Sequence, residues 1–199
     1  MTGPARFIVF EGIDGSGKST QCDRICRYAQ SLGIRAVRLA EPSDGEWGRR
    51  VREMLRRKEM APAEEQLRLF LMDRKDDAER NILPALQSGS LVVMDRYYFS
   101  NAAYQGAAGL PPDTIIRENR LMGVPEPDRV YFIDIPPGEA IRRVTAREEV
   151  REIFEKESFL ARVREIFISL ADERFVFIDG RLGVGEISDI IKNDFMTLL

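Results

Sequence analysis

No histidine occurs among the 199 residues of this chain. That absence excludes reactions built on a histidine base, a Ser-His-Asp triad or a histidine-held metal. Carboxylates, lysine, arginine, hydroxyls and backbone dipoles are left to do any chemistry. Cysteine is nearly as scarce. Cys22 and Cys26 are too few for a disulfide framework, and with no secretory leader they point to a reducing, cytoplasmic setting. Their i, i+4 spacing would suit a metal pair, yet no histidine or third cysteine completes a site, so they read as inert core. Long apolar runs are also missing: Phe7–Phe10 is far too short to span a bilayer, and no membrane partner is expected. Positive charge is not in excess either. A formal net charge of −3 argues against general binding to nucleic-acid backbones.

At this length roughly 70% of the surface of the unfolded chain can be buried, so the fold needs no staple. Four short, uniformly apolar runs recur: Phe7–Phe10, Leu91–Met94, Val130–Ile133 and Phe175–Ile178. A weaker fifth spans Ile34–Leu39. Each has strand length without alternation, as in strands buried on both faces of a parallel sheet. Helical spacing fills the gaps, as in Cys22, Ile25, Cys26 and Ala29, or Leu67, Phe70, Leu71 and Arg74. The alternation predicts a three-layer α/β/α fold with a parallel five-stranded sheet in a single domain, residues 1–199. Residues 147–156 are almost all charged and read as a short, mobile lid.

Gly12-Ile13-Asp14-Gly15-Ser16-Gly17-Lys18-Ser19 fits G-x-x-x-x-G-K-[ST] without mismatch, and it lies between an apolar strand and an amphipathic helix. Such a loop points successive backbone N–H groups into one concavity, and the helix adds its positive end. Lys18 can bridge the β- and γ-phosphates of a nucleoside triphosphate, and the Ser19 hydroxyl can ligate Mg²⁺. GTPase switches share this loop. However, there is no N-K-x-D motif, and the third apolar strand runs into Asp95-Arg96-Tyr97 with no D-x-x-G. Asp95, at a strand's C-terminal edge, can hold Mg²⁺ or its water, and Arg96 can clamp a phosphate with two parallel bonds. The pair alone could equally be a surface salt bridge.

Together with Phe10-Glu11-Gly12, Glu41-Pro42, Phe70-Leu-Met-Asp-Arg74, Asp95-Arg96-Tyr97 and Ser100-Asn-Ala-Ala-Tyr-Gln105, the loop resembles the thymidylate kinases over about Phe7 to Ile191. The resemblance implies ATP-dependent phosphorylation of dTMP to dTDP in dTTP synthesis, with Mg²⁺ accompanying ATP, in a homodimer. It places ATP on Gly12–Thr20, including Thr20, with Arg143 over the adenine. It gives Asp14 the acceptor's 3′-hydroxyl, Phe70 the face of the thymine ring and Arg74 a thymine carbonyl. Arg96 grips the acceptor phosphate, Tyr104 crowds the sugar 2′ position, and Ser100, Asn101 and Gln105 line the pocket. Read without the resemblance, Phe70 is core and Arg74 a solvated end of the same face. The loop carries no arginine, so the catalytic cation falls to the lid, at Arg151 or Arg147. The lid departs from the family's Asp-Arg-aromatic-Glu, reading Arg151-Glu-Ile-Phe-Glu155. Ala40 stands where many members have an arginine, with Arg49 or Arg50 as compensating candidates, and Trp47 reads as helix packing. These departures keep two alternatives open: a kinase for another deoxynucleoside monophosphate, and an inactive nucleotide-binding regulator.

Overall fold

Alternate residues of β1 (Arg6–Glu11) enter different cores. Phe7 and Val9 join one cluster and Ile8 and Phe10 another, so both faces of the strand are buried. The same holds for β3 (Leu91–Asp95) and β4 (Arg129–Asp134), the other two inner strands. The computed structural model describes residues 6–57, 61–144 and 150–199, with side chains from residue 156 onward in the last stretch. Five strands pair in parallel in the order β2-β3-β1-β4-β5, with β2 at Ala36–Ala40 and β5 at Phe175–Asp179.

The two edge strands depart from the sequence expectation. β5 reads as continuously apolar, yet Phe177 is 51% exposed, because an edge strand has no neighbour to shield one side. Its ring still meets Phe132 edge-on at 5.4 Å. β2 is only partly buried, and Arg38 at its centre is exposed.

Helices cover the two faces. α1 (Lys18–Ser31) and α9 (Val184–Met196) pack on one side, where Cys22 and Cys26 are buried and free. Burial pushes the Cys26 thiol up to about 11 and that of Cys22 well above its ordinary value, so neither is a ready nucleophile. α2 (Glu46–Leu55) leans on α3 (Ala63–Asp77). α3 starts after Pro62 with Glu64 and Glu65 facing its positive end, and has Arg74 and Lys75 in its last turn. It runs on through one π turn at Ala78–Ile82 into α4 (Leu83–Gln87). α5 (Tyr98–Ala107) packs against α6 (Pro112–Leu121) and α8 (Val150–Ser169), and α7 (Pro137–Val144) also contacts α8. No helix among the described residues is long and apolar enough to cross a membrane.

Candidate active site

Sheet register sets the site. Ala40, Asp95 and Phe10 occupy one row across β2, β3 and β1, so Glu41, Arg96 and Glu11 emerge side by side one residue further on. Two backbone bonds extend that row: Glu41 N–H donates to Asp95 O at 3.1 Å and Arg96 N–H to Phe10 O at 3.0 Å. This is the carboxyl edge of an open parallel sheet, where ligands of such folds collect. Among the described residues, Arg96 is the one non-glycine with positive φ, at 70°. Such a turn is strained for a side-chain-bearing residue and typifies functional sites. Here it sends the guanidinium back over the glycine-rich loop.

The loop encloses a cavity of about 390 Å³. Gly12 has φ 141°, and a Cβ there would lie 2.5 Å from the Ile133 carbonyl oxygen. At Gly15 it would lie 2.9 Å from that of Ala140, so strand and helix approach only because both side chains are missing. Gly15, Gly17, Lys18, Ser19 and Thr20 line the cavity. The Ile13 side chain instead turns into the core, and Ser16 is buried. Lys18 Nζ donates to the carbonyls of Gly12 at 2.9 Å and Ile13 at 3.0 Å. Burial, reinforced by the charge of Arg96, pushes its ammonium down to about 7. A buried lysine so depressed gains much from an anionic ligand. The Ser19 hydroxyl lies 2.5 Å from Asp95 Oδ2, a pair of hard oxygen donors. Arg143 lines the same cavity, with its guanidinium on Gly15 O at 3.3 Å and Gly180 O at 3.0 Å.

A second cavity, of about 590 Å³, adjoins the first. Asp14, Phe70, Arg74, Arg96, Ser100, Asn101, Tyr104 and Gln105 all line it, brought there from the loop, α3, the end of β3 and α5. Arg96 donates to Asp14 at 2.6 Å and to the Ser100 hydroxyl at 3.0 Å. Tyr104 donates to the other Asp14 oxygen at 3.0 Å. Burial alone would raise the Asp14 carboxyl, but Arg96 and Lys18 outweigh it and hold the group below its ordinary value, ionised and accepting. Phe70 is half-buried, and Phe159 of α8 adds an apolar wall 6.3 Å from the Tyr104 ring.

Arg74 is not a solvated helix end; it is 1% exposed. Its Nε donates to Glu41 at 3.1 Å, its Nη2 bonds the other Glu41 oxygen, and its Nη1 donates to Asn119 at 2.6 Å. Burial raises the Glu41 carboxyl, while the two-point contact with a guanidinium that cannot lose its proton keeps the pair ionised. Ser43 and Asp73 tie the Glu41-Pro42 turn to α3, with bonds of 2.8 and 2.5 Å.

Several neighbours carry no signal in the sequence for their role. Glu11 is buried and accepts from Tyr97 N at 2.9 Å, Ser100 N at 3.1 Å and Ser100 Oγ at 2.5 Å, thereby fixing the start of α5. Burial pushes its carboxyl up to about 6. Asn119, on α6, is wholly buried. Arg38 reaches Asp95 at 3.4 Å and Asp23 at 2.7 Å from the same face of β2 as Ala40. Arg49 and Arg50 do not fill the Ala40 position: Arg49 donates to Asp44 O at 2.9 Å, and Arg50 pairs with Glu46 at 2.6 Å. Arg50 also stacks 4.5 Å from the half-buried Trp47 ring. Of the expected lid, Arg147 lies outside the described residues, as does the side chain of Arg151, whose backbone is in the first turn of α8. No cluster of three or more cysteine or carboxylate groups suited to a metal occurs among the described residues.

Comparison with known proteins agrees with this geometry. Residues 10–191 match the family model described as thymidylate kinase. The chain is 39% identical to a thymidylate kinase of Leptospira borgpetersenii, over 91% of this chain and 88% of the relative. It is 41% identical to a probable thymidylate kinase of Archaeoglobus fulgidus, over 93% and 92%. A thymidylate kinase of Akkermansia muciniphila is 40% identical, over 94% and 89%.

Proposed function

We propose that this chain, which belongs to the thymidylate kinase family, transfers the γ-phosphoryl group of ATP to dTMP, yielding ADP and dTDP. One observation carries the reading. The two cavities share Asp14, Glu41 and Arg96 as a common wall, so a triphosphate on the loop and a monophosphate in the second cavity meet at Arg96. Phosphoryl transfer needs alignment and charge neutralisation more than covalent help. The acceptor phosphate oxygen attacks in line, its bond to the γ-phosphorus forms, and the bond to the β,γ-bridging oxygen breaks. A phosphate monoester dianion is already nucleophilic, so no base is required.

Lys18 leaves the Gly12 and Ile13 carbonyls for the β- and γ-phosphates, and Arg96 holds the acceptor phosphate. Asp14 retains lone pairs for a sugar hydroxyl beside its bonds to Arg96 and Tyr104. Ser19 and Asp95 suit Mg²⁺, which prefers hard oxygen ligands and keeps several waters, directly or through one of them. Bound there with ATP, Mg²⁺ neutralises phosphate charge. Closure of the lid, with Arg151 or Arg147 as the added cation, excludes water and limits wasteful hydrolysis. The reading further includes a single domain, a homodimer and a cytoplasmic setting; the free thiols of Cys22 and Cys26 support the last.

Coupled ADP production with Mg·ATP and dTMP, dUMP, dCMP, dGMP, UMP or AMP tests the assignment. A dominant rate on dTMP is expected. Preference for another nucleotide reassigns Phe70 and Arg74, and silence on every acceptor overturns the kinase reading in favour of a regulator.

A further inference from the structure

The second cavity ends against a line of side-chain amides whose direction is set by one backbone atom. Gln66, on α3, is 6% exposed, and its Nε2 donates to the Ala61 carbonyl at 2.7 Å. A carbonyl oxygen only accepts, so the amide nitrogen must face it and Oε1 must point away. There Oε1 accepts from Gln105 Nε2 at 3.0 Å. Gln105 Oε1 accepts in turn from Asn101 Nδ2 at 2.5 Å. Turning over any one amide would set donor against donor or acceptor against acceptor in a buried place, which is costly.

The polarity therefore reaches Asn101 without a choice: one N–H of Nδ2 is held on Gln105, and Oδ1 is turned to the other side of the amide, toward Arg74. That oxygen receives only a long 3.5 Å approach from Arg74 Nη1, which leaves it a lone pair. Arg74 has five N–H groups. Two go to Glu41 and two to Asn119 and Asn101, so one on Nη2 is without a protein partner among the described residues. Both side chains line the cavity. An acceptor beside a donor matches N3–H and O4 of thymine or uracil. It opposes cytosine, whose N3 accepts and whose N4 donates.

We infer that Gln66 is a positioning residue for base choice: anchored on Ala61, it fixes Asn101 as an acceptor and selects a 4-oxo pyrimidine over cytosine. The inference rests on the acceptor assignment proposed above.

Gln66→Met keeps the volume and removes both polar ends. Steady-state kcat and KM for dTMP and dCMP are measured in the wild type and the variant. The KM for dTMP should rise ~10-fold, with kcat changed far less. The preference for dTMP over dCMP in kcat/KM should fall at least ~10-fold, because a freed Asn101 amide can turn its nitrogen to cytosine N3. Gln105→Met cuts the line one step later, from α5, and carries the same test should Gln66→Met fail to fold. It should give the same fall, and the double variant little more. Full preference retained in the folded variants, or equal loss for both nucleotides, overturns the relay and leaves the acceptor assignment standing. A wild type that prefers dCMP overturns both.

Discussion

The two halves of the active site are built in opposite ways. The phosphate-loop half comes mainly from one contiguous stretch, Gly12–Thr20, with Asp95 and Arg143 at its margin, and its shape is carried by backbone: glycine dihedrals, carbonyls that hold Lys18 and the start of α1. The other half is assembled from α3, α5, α6 and the ends of β2 and β3. There the working surface is side chains held by other side chains, as Glu41 and Asn119 hold Arg74. A backbone-built site survives the loss of its functional side chain. One built from interlocked side chains loses shape along with function.

Lys18→Ala gives the contrast its strongest test. Turnover should fall by ~10³-fold or more, while the melting temperature stays near wild type, because the loop's dihedrals need no lysine. An unfolded variant, or one with normal kcat, breaks the comparison on this side. Glu41→Ala probes the other side. It strands a buried guanidinium, so stability should drop by about 3 kcal/mol or more in urea denaturation, and the KM for dTMP should rise with it. A variant as stable as wild type would show that Arg74 is not held as described. Arg96→Lys lies on the shared wall. Charge is kept but the planar fork is lost, so kcat should fall by about 10²-fold with little change in stability. A change confined to the KM for ATP would move Arg96 out of the acceptor half.

The same contrast explains what was legible in the sequence. The loop was, because its chemistry needs glycines, lysine and serine at fixed spacing along the chain. The inner strands were, because burial on both faces leaves no polar alternation. Phe177 was not: the apolar run is the same whether a strand is central or at the edge, and only the pairing order decides exposure. Arg74 reads equally well as a solvated helix end or a buried one, since Glu41 and Asn119 are 33 and 45 residues away in sequence. Nor does spacing reveal that Glu41, Arg96 and Glu11 share a row; that follows from the order β2-β3-β1. The line from Gln66 to Asn101 needs two helices at a set distance, and no local pattern encodes it.

Glu11 sits where the two constructions meet, at the end of β1 with its carboxylate on the first turn of α5, and its effect is the smallest. Burial raises its carboxyl from 4.5 to about 6 in the folded chain. Between those values the native state keeps a proton that the unfolded chain has released, so stability falls as pH rises through the window and levels off above about 6. The full change amounts to ~2 kcal/mol. Glu11→Gln carries no titrating proton, so its stability minus that of the wild type should grow by most of this amount between pH 4.5 and 6.5. The variant also replaces one acceptor oxygen by a donor facing Ser100, a cost that is constant with pH and shifts the whole curve without changing its slope. Other titrating groups are common to both proteins and cancel in the difference. Urea denaturation of the two proteins across this range separates slope from offset. Parallel curves would mean that Glu11 titrates in the folded chain as it does in the unfolded one, its three donors and Arg96 having offset burial.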